Sequence, residues 1–321
     1  MIFDHADGTN PLLWGDDYIA GGADDDEIWG QLGDDTIQGD GMVIFDGTDI
    51  GITRDADGLL SYNTADGVPV LAPNKWDGVI WRDGDDYIEG GGGDFDATNG
   101  EDLILGGEGQ DDIIGGSSTL FGLAGDESLR PDGADMIFGG TGEDTARNTY
   151  GDRPATDGSD DIIRGFGDYD HAYDSDAIAG DNADILRMVQ VTASGTTFVS
   201  FNYDLLNPNR TLPAGISQTD YSQHLIVVRS IDLLDYTQGG PDFDPTALND
   251  NGGADEIHGE SSDDFIYGMT AADIIFGNAG NDDIIAGWGT DWVSGGTGQD
   301  GILGDDGRIF TSRNSDAYGE A

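Results

Sequence analysis

An aspartate recurs every nine residues through the C-terminal part of the chain, each time two places before an Ile or Val. Asp255, Asp264, Asp273, Asp282, Asp291 and Asp300 keep the step without a slip, and Ile257, Ile266, Ile275, Ile284, Val293 and Ile302 keep it with them. Gly stands two places before the Asp at Gly253, Gly280, Gly289 and Gly298; Ser262 and Ala271 take that place in the other two units. No long helical periodicity competes with this register. Asx-turn chemistry explains why Asp favours Gly-rich turns, but it does not explain a fixed phase over six units. A fixed period marks a repeat architecture, in which each unit buries its face only against its neighbours.

The same pattern appears upstream in broken form. Asp17, Asp26 and Asp35 lead Ile19, Ile28 and Ile37. Asp86 stands alone before Ile88; Asp102 and Asp111 form a pair, as do Asp135 and Asp144, and Asp160 follows. Asp144 has only Ala146 at the apolar place, and "GGGGDFDAT" at 90–98 reads as a degenerate unit with Phe95 where the Asp belongs. Residues 41–81 and 187–250 interrupt the pattern with β-branched runs around Gly or Asp turns, the second opening as a hairpin about Ser194-Gly195. The expected organisation is one continuous elongated all-β domain. It has repeats at 1–40, a β insert at 41–81, irregular repeats at 82–186, a hairpin-containing insert at 187–250, repeats at 251–306 and a tail strand at 307–321. "GDGMVIFDG" at 39–47 resembles "GDDGRIFTS" at 304–312, so the tail is expected to begin another insert and the chain to be a unit of a longer repetitive design.

A turn followed by a short strand fits into nine residues and places one apolar side chain inward. Two units then close a coil with a strand on each side, and coils stack as parallel strands about 4.8 Å apart. The expected fold is a parallel β-roll or β-helix, with Gly turns taking φ > 0 where other residues are strained. Odd and even units fall on opposite edges: Asp264, Asp282 and Asp300 line one, Asp255, Asp273 and Asp291 the other. Carboxylates stacked about 5 Å apart repel by roughly 3 kcal/mol per pair at an effective dielectric of 20. The chain as a whole has 65 Asp+Glu against 12 Lys+Arg, a formal charge of −53. That charge holds a bare chain open.

A cation between coils reverses the sign of the interaction. Ca²⁺ takes about six to eight oxygens at about 2.3–2.6 Å, so ligands on opposite sides of the ion span one coil spacing. Magnesium wants a tighter octahedron and keeps its water. Zinc prefers His and Cys, and the sequence has no Cys and four His. Several calcium ions, held by Asp carboxylates and turn carbonyls, are the expected cofactor.

Other classes of function find little support. There is no basic patch to meet nucleic-acid phosphates or an anionic membrane surface. No run of about 18 apolar residues spans a bilayer, and the opening "MIFDHADGTNPLLWGDDY" lacks the basic and apolar regions of a signal peptide. His5, His171, His224 and His258 read as isolated solvated or packing residues. No HExxH, GxSxG or P-loop motif occurs, and no carboxylate pair is marked out by spacing, so catalysis is not expected in this chain.

The units "GGEGQDDII" at 106–114, "GNAGNDDII" at 277–285 and "GGTGQDGIL" at 295–303 resemble the RTX, or haemolysin-type, calcium-binding repeat, G-G-x-G-x-D-x-U-x with U a large apolar residue. The resemblance implies that the sixth-position Asp is a calcium ligand. Carried over, this names Asp17, Asp26, Asp35, Asp86, Asp102, Asp111, Asp135, Asp144, Asp160, Asp255, Asp264, Asp273, Asp282, Asp291 and Asp300. It also implies carbonyl ligands from the turn glycines Gly21, Gly30, Gly106, Gly109, Gly259, Gly268, Gly277, Gly280, Gly289, Gly295 and Gly298. It implies export by a type I system, with folding outside the cell as calcium binds. The expected role is a structural module of an adhesin, sheath or matrix fibre at the cell surface. The alternative is an accessory module of a secreted protease, lipase or alginate epimerase.

Outward strand positions should put Phe265, Tyr267, Ile285 and Leu303 on one face of the roll and Ile274, Phe276 and Trp292 on the other. A free-standing roll would leave these apolar patches wet. The insert 187–250 is expected to cover one of them, and the open strand edges at the roll's ends to invite further copies or adjoining repeats.

Overall fold

The computed structural model describes residues 16–40 (apart from 23–24), 84–92, 100–120 (apart from 108), 132–140, 172–201 (apart from 173 and 194), 225–234 and 252–309, with short strands between 42 and 80. Every regular element among these residues is a β-strand. Fourteen of them form two parallel seven-stranded sheets. One sheet runs, in spatial order, Tyr18–Gly22, Thr36–Asp40, Leu103–Leu105, Met136–Phe138, Glu256–His258, Ile274–Phe276 and Trp292–Ser294. The other runs Glu27–Leu32, Tyr87–Gly92, Asp112–Ile114, Ala177–Ala179, Phe265–Ala271, Asp283–Gly289 and Gly301–Leu303. The chain alternates between the sheets, one strand to each, and so winds a parallel β-roll of seven rungs.

The single apolar residue of each unit sets the register. Ile19, Ile37, Ile104, Ile137, Ile257, Ile275 and Val293 pair in turn along the first sheet. Ile28, Ile88, Ile113, Ile178, Ile266, Ile284 and Ile302 do so along the second. These side chains meet between the sheets as one thin core. A slip of one residue would turn every Ile outward, forfeiting about 2 kcal/mol of burial for each.

Two of the segments that leave this frame at turns and return to it carry antiparallel strand pairs. The first carries the antiparallel pairs Met42–Val43 with Leu71–Ala72, Gly51–Arg54 with Leu60–Asn63, and Lys75–Trp76 with Val79–Ile80. The second begins already at Ala183, before the expected boundary at 187: Ala183–Arg187 pairs antiparallel with Arg229–Leu233. Beyond it the hairpin Val189–Thr192/Gly195–Phe198 turns where Thr192 faces Gly195, and Gly195 takes φ 135°, the left-handed region that a side chain would strain.

The second excursion lies on the outer face of the second sheet. Ala177 and Ala179 leave a shallow dent there; Ile185 and Ile231 settle beside Ile114, Ala177 and Tyr87. Leu233 and Ala183 pack with Ala179, Met269, Tyr267 and Trp288, and Ile226 covers Phe265. Polar anchors sit at the same contact. Asp112, an outward strand position, receives Arg187 Nε at 2.6 Å and Arg229 Nε at 2.8 Å. Gln110 donates to the carbonyls of Ala172 and Leu225 and accepts from the Val227 N–H, each at 2.9 Å. On the opposite sheet Phe138, His258 and Phe276 stack with ring centroids 4.8 and 4.5 Å apart, and His258 Nε2 lies 3.0 Å from Glu256 Oε1. His258 is thus a packing residue; His5, His171 and His224 lie outside the described residues.

The sequence reading of the middle is corrected at one rung. The strand between Asp112–Ile114 and Phe265–Ala271 is Ala177–Ala179, led by Asp176, a unit outside the nine-residue series of the sequence. Asp144, Asp160 and most of the degenerate unit at 90–98 lie outside the described residues.

Candidate metal centres

Each roll strand starts one place after an Asp, and the backbone N–H of that Asp donates to the side chain of the Asp one rung further on. On the first edge, the Asp17 N–H donates to Asp35 Oδ1 (2.7 Å), Asp35 to Asp102 (2.7 Å), Asp102 to Asp135 (2.8 Å), Asp135 to Asp255 (2.8 Å), Asp255 to Asp273 (3.0 Å) and Asp273 to Asp291 (3.1 Å). On the second, Asp26 donates to Asp86 (2.8 Å), Asp86 to Asp111 (2.8 Å), Asp111 to Asp176 (2.8 Å), Asp176 to Asp264 (2.9 Å), Asp264 to Asp282 (3.1 Å) and Asp282 to Asp300 (3.2 Å). The partners stand from 18 to 120 residues apart in sequence, yet the contact is the same.

In every ladder Asp after Asp17 and Asp26, Oδ1 is therefore held by the backbone of the preceding rung. Oδ2 of Asp35, Asp86, Asp102, Asp111, Asp135, Asp176, Asp264 and Asp273 is buried with no hydrogen-bond partner. Burying a carboxylate oxygen without compensation is costly, and here the same orphan recurs rung after rung.

The space beside these oxygens is shaped by glycine. The residue four places after the ladder Asp is Gly in nearly every unit, and a methyl group there would strike two oxygens. At Gly30 it would meet Asp35 Oδ2 and the Gly90 carbonyl; at Gly39, Asp86 Oδ2 and the Gly106 carbonyl; at Gly106, Asp111 Oδ2 and the Gly139 carbonyl. The arrangement continues at Gly139 with Asp176 Oδ2 and the Gly259 carbonyl, at Gly268 with Asp273 Oδ2 and the Ala286 carbonyl, and at Gly277 with Asp282 Oδ2 and the Gly295 carbonyl. Each turn thus presents a carboxylate oxygen and a main-chain oxygen to one small space. Among the described residues no cluster of three or more His, Cys, Asp or Glu forms a side-chain cage. The donor set is hard oxygen, part side chain and part backbone, which suits calcium.

Electrostatics agree. Burial pushes the Asp35 carboxyl up to about 6, Asp86 up to about 7 and Asp273 up to about 11. It also drives Asp102, Asp111, Asp135, Asp176 and Asp264 well above the carboxylate range, and the neighbouring ladder Asp adds to each. Without a counter-ion the folded roll is hostile to its own ionised side chains.

The glycines named from sequence divide into two groups. The carbonyls of Gly106, Gly259, Gly268, Gly277 and Gly295 face these spaces, and Gly21 and Gly30 line one by lacking a side chain. Gly109, Gly280, Gly289 and Gly298 instead allow rung-to-rung backbone contact: a Cβ on them would strike the carbonyls of Gly84, Ser262, Ala271 and Gly280. The carbonyls of Gly39, Gly90, Gly115, Gly139, Gly180 and Ala286 face such spaces as well. Their shared signal, a Gly four places after the Asp, was present in "DAIAG" at 176–180, but Asp174 stands where a turn Gly was sought. The non-glycine residues at turn positions keep the turn geometry: Gln31, Glu260, Ser262, Met269, Ala271 and Asn278 have φ between 69° and 90°.

The family described as RTX calcium-binding nonapeptide repeat (4 copies) matches residues 13–41, 95–119, 132–146, 248–269 and 267–302. A search of curated proteins found no match. The chain carries RTX repeats, wound as a parallel all-β roll; the repeat is a calcium-binding structural element, not a catalytic one. No helix among the described residues is long and apolar enough to cross a membrane.

Proposed function

We propose that this chain is a calcium-binding structural module of an exported, extracellular or cell-surface protein of the adhesin, sheath or fibre kind, and that it folds as calcium binds. The observation that carries the reading is the repeated pairing of an orphaned Asp Oδ2 with a glycine-turn carbonyl. The ladder Asp residues, Asp176 included, would hold the ions with the carbonyls four places after the Asp. Bound calcium supplies positive charge and rigid multi-oxygen coordination between rungs. The protein's own part is to fix the oxygens: Oδ1 by the backbone N–H of the preceding rung, the carbonyls by the parallel ladder, and the space by glycine.

The module's working surface is the roll's end. Ile302, a core position, is 44% exposed and Trp292 54% exposed at the last rung, and no described strand pairs with the outer edge of Gly301–Leu303. That edge favours continuation of the stack by a further rung, from another copy or an adjoining repeat. Far-ultraviolet circular dichroism with calcium and with excess chelator tests the main reading. Loss of β signal on chelation supports it, and identical spectra refute it.

A further inference from the structure

Asp132 belongs to neither ladder. Its Oδ1 accepts the Gly133 N–H at 3.0 Å, while its Oδ2 is buried with no hydrogen-bond partner and the residue is only 7% exposed. The charges that act on it are those of Asp135, Asp181, Asp255 and Asp102, all acidic. A buried carboxylate in such company needs a positive partner.

The geometry shows where that partner would sit. A methyl group on Gly116 would strike Asp132 Oδ2 and Asn182 Oδ1 together. The two oxygens therefore converge beside Gly116, close enough together for one calcium ion, at about 2.3–2.6 Å from each, to touch both. The neighbouring ladder space, beside Gly115, is a different one, built from Asp135 Oδ2 and the Gly180 carbonyl. In regular units the position equivalent to Gly116 packs on main chain instead: Gly91 on the Gln31 carbonyl, Gly287 on that of Met269, Gly296 on that of Asn278. At Gly116 two side-chain oxygens take the carbonyl's place. Asn182 is itself fixed, its Oδ1 accepting the Ser117 N–H at 2.9 Å. Asp181 adds charge nearby, with its oxygens already held by the Gly253 N–H at 2.8 Å and the Thr270 N–H at 3.0 Å.

We propose that Asp132 Oδ2 and Asn182 Oδ1 form a further site for a hard divalent cation, calcium, outside the two ladders. It lies at the foot of the excursions that separate Asp112–Ile114 from Met136–Phe138 and Ala177–Ala179 from Glu256–His258. An ion there pins both departures from the roll to each other. This rests on the calcium reading above.

Native mass spectrometry of the full chain at a fixed free calcium concentration tests it, using Asp132→Asn, Gly116→Ala and the exposed control Asp306→Asn. Asp132→Asn removes the charge. Gly116→Ala fills the space, and the atoms it meets are side-chain oxygens rather than main chain. Both are expected to fold in calcium and to bind one ion fewer than the parent, while the control keeps the full number. An unchanged number in both variants overturns the site, and so does failure of both to fold, which would make Asp132 part of the ladder support. If the parent chain binds no calcium at all, the proposed function fails with it; if only the two variants show no loss, the function stands and this site alone falls.

Discussion

The rungs from Asp255 to Asp300 and those from Asp86 to Asp176 are built from very different stretches of sequence. In the first region partners stand 18 residues apart throughout. In the second they stand 25, 33 and 65 apart, with long excursions between. Yet the interrupted region holds its Asp-to-backbone bonds at 2.8 Å, against 3.0–3.2 Å in the regular one. Regular spacing is therefore not what makes a rung. The local unit does: an Asp that reaches back to the preceding rung, an Ile for the core, a Gly that leaves a space beside the carboxylate. Insertions are tolerated at the turns because loop closure grows costly only slowly with length. Inside the stack the carboxylates are equally buried in both regions, Asp111 and Asp135 at 0% exposure and Asp264 and Asp282 at 1% and 0%; it is the last rung, at Asp291, that is partly open.

The largest effect expected from this contrast comes from Asp111→Ala. Asp111 is fully buried and holds the Asp86 N–H, so its loss in calcium should cost about 3–5 kcal/mol. Asp291→Ala, at a rung that is partly open, should cost about 1 kcal/mol or less. Chemical denaturation of both variants in calcium checks this; equal losses would erase the difference between the regions.

Next comes the insert's anchor. Arg229 is 2% exposed at its side chain and shares Asp112 with Arg187. Arg229→Met should destabilise the calcium-loaded chain by about 3 kcal/mol by leaving a buried carboxylate short of charge. An unchanged melting temperature would show that the insert is held by its apolar contacts alone.

Acid provides a third probe. Burial raises the carboxyls of Asp35, Asp86 and Asp273 above the usual 3.8, to about 6, 7 and 11. A raised carboxyl favours folding fully below its unfolded value and ceases to do so as pH rises through the folded one. The metal-free chain should therefore gain β structure as pH falls from about 7 towards 4, protons standing in for calcium. Circular dichroism of the metal-free chain against pH reads this, and a loss of structure on acidification contradicts it. The smallest effect is at Ala271, exposed and at φ 70°. Ala271→Gly should stabilise the loaded roll by about 0.5–1 kcal/mol, because Gly takes φ > 0 without strain. A lower melting point would count against strain at that turn.

Most of this was legible in sequence. The parallel roll, the inward Ile series and the Asp series at both ends follow from one nine-residue period, because each unit repeats the same local physics. The period failed where the chain leaves the roll. Asp176 was hidden because Asp174 replaces the turn Gly, and its carboxylate instead accepts the Gly109 N–H at 2.8 Å. The carbonyls that face the Oδ2 spaces were only partly named, because the sequence displays glycine for two different reasons: open space beside Oδ2 four places after the Asp, and backbone contact two places before it. The pairing of Asp112 with two arginines more than 70 residues away left no periodic trace at all.

The central claim is that calcium bridges neighbouring rungs through Asp Oδ2 and glycine-turn carbonyls, and diffraction from calcium-grown crystals tests it most directly. Anomalous maps should show two rows of peaks along the turn edges, each about 2.3–2.6 Å from a ladder carboxylate and a carbonyl of the adjoining rung. A folded roll whose maps are blank between Asp102, Asp135 and Asp255 would contradict it.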